Sequence, residues 1–121
     1  MRKLIRIGTR GSKLALWQAN HVASLISPSG YTTEIVPIET RGDQMLNVSI
    51  AGIGSKGVFT EEIEAQLLNG SIDIAVHSAK DLSSEIPDEL ELIAFTEREL
   101  PNDVILSFDK NFDLKRSGVK I

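Results

Sequence analysis

Apolar and polar positions along this chain fall into short blocks whose spacing switches between two and three to four residues. Leu4 to Gly8 interleaves apolar and basic residues, which predicts a strand. Ser12 follows as a helix N-cap, its hydroxyl able to accept from a free backbone N–H. Behind it Ala15, Ala19, Val22 and Ile26 recur at helical spacing, with Leu16 and Trp17 widening the apolar face and Trp17 expected in the core. Pro28-Ser29-Gly30 ends that helix. Thr33 to Ile38 predicts a second strand. Glu39 to Gly57 is rich in Gly and Asn and poor in periodic apolar residues, so a long loop is expected. A loop of that length in a compact domain serves as a lid, here over Asn47 to Gly57. Thr60 to Leu68 predicts a second helix, with Glu61 and Glu62 opposing the macrodipole and Asn69-Gly70 as its stop. The β-branched run Ile72 to Val76 reads as a buried parallel strand, Leu90 to Phe95 as a fourth and Val104 to Ser107 as a fifth. This order predicts an α/β fold with a mixed, mainly parallel sheet flanked by helices.

Composition narrows the function. Among 121 residues, 13 basic against 17 acidic side chains leave a net charge of −4, which argues against nucleic acid as a partner. Any anion site must come from local clustering of Arg and Lys. The absence of cysteine excludes disulfides, thiolate chemistry and Cys-based zinc sites within these residues. His21 and His77 are too far apart in sequence to suggest a metal site. No stretch has the length of a signal peptide or a membrane span, so a cytoplasmic protein with no membrane partner is expected. Glu97 to Asp103 reads as a domain crossover, and Gly118 to Ile121 as a strand only begun, so the chain is expected to be cut from a longer one.

Four polar turns carry the candidate chemistry: Thr9-Arg10-Gly11-Ser12, Thr40-Arg41-Gly42-Asp43, Ser55-Lys56-Gly57 and Ser78-Ala79-Lys80-Asp81. In open α/β sheets, ligands gather beyond the carboxyl ends of the strands. If the sheet is parallel, three of these turns share that edge, and their cations can converge on a ligand bearing several carboxylates. Arginine meets a carboxylate bidentately, while lysine acts as a movable point charge. Asp81, a carboxylate among cations, can stabilise positive charge developing on a substrate nitrogen. Arg41-Gly42-Asp43 as an integrin tripeptide is chance. His77 and Ser78, as strand neighbours, are expected to point to opposite faces and not to form a hydrolase pair. His77 is expected to pack or to bond to the backbone. No phosphate-binding Gly-Lys-Ser/Thr run exists.

Ile7-Gly8-Thr9-Arg10-Gly11-Ser12, with Leu14 to Ala19, resembles the amino-terminal signature of the porphobilinogen deaminase (hydroxymethylbilane synthase) family. The likeness continues through Thr40 to Asp43, Gly54 to Phe59 and Asp73 to Asp81, in order across residues 4 to 107. It implies a periplasmic-binding-protein-like fold and a transferase of tetrapyrrole (heme) biosynthesis. Such an enzyme condenses four porphobilinogen molecules into linear hydroxymethylbilane with loss of ammonia. The polypyrrole grows on a dipyrromethane cofactor held by a thioether to a cysteine, which these residues lack. By the resemblance Asp81 is the catalytic aspartate, hydrogen-bonding pyrrole N–H groups and stabilising the azafulvene cation. Ser12, Ser78, Lys80 and Asp81 bind cofactor, and Arg10, Ser12 and Lys56 bind substrate.

The resemblance also implies that residues 1–100 form the first domain and 101–121 the crossover and truncated start of a second. A monomer is expected at full length. The isolated chain is expected to be inactive and to self-associate through residues 103–121. Ala79, Gly52 and Asn102 depart from the family pattern, which usually has methionine, lysine and arginine there. The rival reading is a non-catalytic small-anion-binding α/β module of the periplasmic-binding-protein type. Asp81 separates the two, since a pure anion binder has little use for a carboxylate amid its cations.

Overall fold

The centre of the sheet is β1 (Leu4–Thr9), with β2 (Thr32–Pro37) on one side and β3 (Ile74–Ala75) on the other, in a computed structural model that describes residues 3–45 and 57–98. Both pairings are parallel: Ile7 lies opposite Ile35 in β2 and Ile74 in β3. All three carboxyl ends therefore open on one edge. Among the described residues the sheet is parallel throughout, the dominant arrangement expected of it.

Side chains of β1 alternate between two helical layers. Thr9 is fully buried, and its hydroxyl donates to the Ala15 carbonyl at 3.2 Å, which ties this face of β1 to α1 (Lys13–Ile26). Ser12 caps α1 by accepting from the Ala15 N–H at 3.3 Å. Ala15 and Ala19, one turn apart, are the buried positions of the helix, and their small side chains let it approach the strands closely. Gly8 faces the other way. A Cβ there would lie 2.2 Å from Ile72 Cδ1, in the core cluster of Ile38, Ile63 and Ile72. Ile63 belongs to α3 (Glu61–Leu68), which begins with three glutamates in its first turn and covers this second face. Burying each such isoleucine contributes about 1.5–3 kcal/mol before entropy is counted.

Several expectations need correction. Within the predicted loop from Glu39, the described residues include a helical turn, α2 (Arg41–Gln44). Leu90 to Phe95 forms no strand. Its alternation finds no strand partner among the described residues, and Leu92, Ile93 and Phe95 stand exposed. Only Ile74–Ala75 of the run Ile72 to Val76 pairs as a strand. Trp17 is not core: it is 54% exposed and stacks on His21 with ring centroids 5.3 Å apart. Two residues from each of Ala15 and Ala19, it falls on the far side of the helix. Residues 46–56 and 99–121 lie outside the described residues, and with them Lys56, Gly52, Asn102, the lid over Asn47 to Gly57 save Gly57, the fifth strand and the self-associating tail. Among the described residues no helix is long and apolar enough to cross a membrane.

Candidate functional site

Beyond the carboxyl ends of β1 and β3 lies a cavity of about 220 Å³. Its lining includes Arg10, Ser12, Ser78, Lys80 and Asp81, with Gln18, Phe59 and His77. The parallel register brings the first and last of the polar turns together there. A second cavity of about 460 Å³, lined by Arg10, Ser12, Ile38, Glu39 and Asp43, adjoins the end of β2. Arg10 and Ser12 stand between the two.

Arg10 is the hub. Its Nε and Nη2 donate to Asp43 Oδ1 at 3.0 and 2.5 Å. The guanidinium carbon sits 4.1 Å from the centre of the Phe59 ring, a cation–π contact. Nη1 lies 3.8 Å from Asp81 Oδ2, an ion pair beyond hydrogen-bonding distance. Arg10 and Asp81 are each only 20% exposed.

The two carboxylates facing Arg10 differ sharply. Asp43 is saturated: its Oδ2 accepts from the Thr40 hydroxyl at 2.8 Å and the Thr40 N–H at 3.2 Å, the capping box that starts α2. Burial alone would raise Asp43, but hydrogen bonds from Arg10 and Thr40 outweigh it and hold the carboxyl below its ordinary value. Asp81, by contrast, accepts no side-chain hydrogen bond among the described residues and keeps only the 3.8 Å ion pair. Its lone pairs are open to a ligand's N–H groups. Asp81 is held by the backbone, in a 3-10 turn (Ala79–Asp81) closed by its own N–H donating to the Ser78 carbonyl at 2.9 Å.

Ser78 is engaged through Gln18 of α1, whose Nε2 donates to Ser78 Oγ at 2.9 Å. The strand has ended at Ala75, so His77 and Ser78 both line the cavity rather than opposite faces. They make no hydrolase pair, because the Ser78 hydroxyl is bonded to Gln18 instead. His77 is half-buried and lines the cavity. Burial lowers its pKa and the Arg10 charge adds to this, with Asp81 opposing. Arg41 does not converge on the site: it pairs with Glu61 and Glu62 of α3 on the outer side. Among the described residues no cluster of His, Cys, Asp or Glu is able to hold a metal.

Sequence reasoning missed Asp43, Phe59 and Gln18 as site members. Thr40-x-x-Asp43 is a readable capping signal, but nothing in it points to Arg10. The cavity's polar groups suit a ligand that carries both carboxylates and N–H donors. Arg10, Lys80 and the Ser12 hydroxyl can donate to carboxylates, while Asp81 can accept from ring N–H groups.

A family model described as "Porphobilinogen deaminase, dipyromethane cofactor binding domain" matches residues 5–121. The chain is 62% identical over 114 residues to the porphobilinogen deaminase of Desulfosudis oleivorans, covering 94% of this chain and 37% of that protein. It is 58% identical to the porphobilinogen deaminases of Cytophaga hutchinsonii and Syntrophomonas wolfei, over 88% and 91% of this chain. The chain thus spans between 34% and 37% of the length of these curated relatives.

Proposed function

This chain belongs to the porphobilinogen deaminase family, and from that premise we propose that the whole protein condenses four porphobilinogen molecules into hydroxymethylbilane with loss of ammonia. Residues 1–100 supply its first domain and residues from 101 open the second. The observation that carries this reading is the Asp81 carboxylate, which accepts no side-chain hydrogen bond among the described residues, in a cavity that also holds Arg10, Ser12 and Lys80. An anion-binding module would gain nothing from it.

Arg10, Ser12, Lys80 and, beyond the described residues, Lys56 hold the acetate and propionate arms of substrate and polypyrrole. Ser78, fixed by Gln18, contributes its hydroxyl from the turn after β3. Asp81 accepts from the pyrrole N–H, orients the ring, and offsets the positive charge that develops as ammonia leaves. Such electrostatic stabilisation in a water-poor cleft is a large term in catalysis. A bound dipyrromethane supplies the nucleophilic pyrrole carbon from which the chain grows. Its acidic arms and ring N–H groups match the same donors and acceptor. With no cysteine among the 121 residues, a thioether anchor has to lie elsewhere.

The test is product stoichiometry. Purified whole protein given porphobilinogen should release ammonia and form hydroxymethylbilane in a four-to-one ratio. Saturable binding of porphobilinogen without ammonia release would replace this reading with the anion-binding one.

A further inference from the structure

We propose that Asp43 is a positioning residue: it clamps one edge of the Arg10 guanidinium, aims the other edge at a ligand carboxylate, and keeps Arg10 from collapsing onto Asp81. This rests on the functional reading above and adds a residue outside the contact set proposed there.

The geometry around Arg10 is defined on three sides. Asp43 Oδ1 takes donors from Nε and Nη2, Phe59 covers one face, and Nη1 points toward Asp81 at 3.8 Å. Of five guanidinium hydrogens, Asp43 uses one on each of those two nitrogens, and among the described residues no hydrogen bond occupies the Nη1/Nη2 edge, which a bidentate carboxylate can take. The clamp removes in advance rotamer freedom that ligand binding would otherwise have to quench. Asp43 is itself immobilised, because its second oxygen belongs to the α2 capping box.

Two carboxylates compete for one guanidinium, and the distances give the order. Asp43 holds Arg10 by hydrogen bonds of 2.5 and 3.0 Å, while Asp81 stands off at 3.8 Å. Without the Asp43 charge, Arg10 closes the remaining gap and takes up the lone pairs through which Asp81 acts. Loss of Asp43 therefore harms binding and turnover together.

Two substitutions separate the clamp from the cap. Asp43→Asn is isosteric but cannot accept at both oxygens. Asp43→Glu keeps the acid that a capping box prefers at this position while displacing the carboxylate from Arg10. Arg41→Gln loosens α2 from α3 without touching Arg10 and serves as control. The probe is a porphobilinogen analogue lacking the aminomethyl group, bound to the whole protein and measured by calorimetry. Both Asp43 variants should weaken the probe on the order of tenfold, as expected for loss of a charged hydrogen bond, and should lower kcat as well as raise KM. Arg41→Gln should bind within about twofold of wild type. In wild type the Arg10 Nε–H should give a slowly exchanging nitrogen-15 resonance that exchanges faster in both Asp43 variants. Probe affinity within about twofold of wild type in the Asp43 variants overturns the proposal, as does an equal loss in Arg41→Gln. If wild type binds no probe and makes no product while its Arg10 Nε–H is slow and depends on Asp43, the functional reading fails and the clamp stands.

Discussion

Asp43 and Asp81 are the same residue type a few ångströms from the same arginine, and their surroundings differ sharply. Four donors occupy Asp43, and none occupies the Asp81 side chain among the described residues. The neighbouring imidazole of His77 is pushed below its ordinary value chiefly by burial, with Asp81 opposing and Arg10 adding to the shift. Phe59 depends in turn on a glycine. A Cβ at Gly42 would lie 2.2 Å from Phe59 Cε1 and 2.7 Å from Val58 Cγ1. Gly42→Ala would gain about 1 kcal/mol in helix propensity, but overpacking against three crowded atoms costs about 1–3 kcal/mol. Net destabilisation by up to about 2 kcal/mol is expected in urea unfolding. The displaced ring should also weaken the carboxylate probe at Arg10 by calorimetry, an effect that a purely structural glycine would not have.

The elements place these residues because the three strands run parallel and end together. The junction of β1 with β3 is held from outside by Arg6, whose Nε and Nη2 donate to Asp73 at 3.1 and 3.0 Å and whose backbone N–H adds a third bond at 2.8 Å. Hydrogen bonds from Arg6 hold the Asp73 carboxyl down to about 2. A depressed carboxyl contributes stability that is complete above the unfolded value, roughly 4, and is lost as pH falls through about 2. Thermal melts of wild type and Asp73→Asn should therefore differ by a constant gap above about pH 5 that narrows between about pH 4 and pH 2. The strand-helix-strand order, the Ser12 cap and the shared carboxyl edge were legible because each rests on local period or a capping residue. The α2 turn was not, since four residues are too few to establish an apolar period. Leu90 to Phe95 misled for the opposite reason: alternation specifies a face, but a strand also requires a neighbouring edge to bond. Trp17 misled because hydrophobicity was weighed above its angle from Ala15 and Ala19.

At the scale of the molecule, the site joins the outer end of α1, the turn after β1, the cap of α2 and the turn after β3. No single motif contains it. Arg10 and Asp81 were each singled out through the family signature, and the structure sets them 3.8 Å apart, whereas Arg41 carried the same turn chemistry and proved to be tied to α3. Ion-pair partners that lie twenty residues away cannot be read from a turn. In the proposed function Asp81, whose side chain accepts no hydrogen bond among the described residues, meets the pyrrole N–H as charge develops. The most direct test is steady-state hydroxymethylbilane formation by whole protein carrying Asp81→Asn, alongside calorimetry with the unreactive analogue. Turnover should fall at least ~10²-fold while the probe affinity stays within about threefold, because Arg10, Ser12 and Lys80 remain. Near-normal turnover in Asp81→Asn would contradict the account and return Asp81 to a bystander of the anion site.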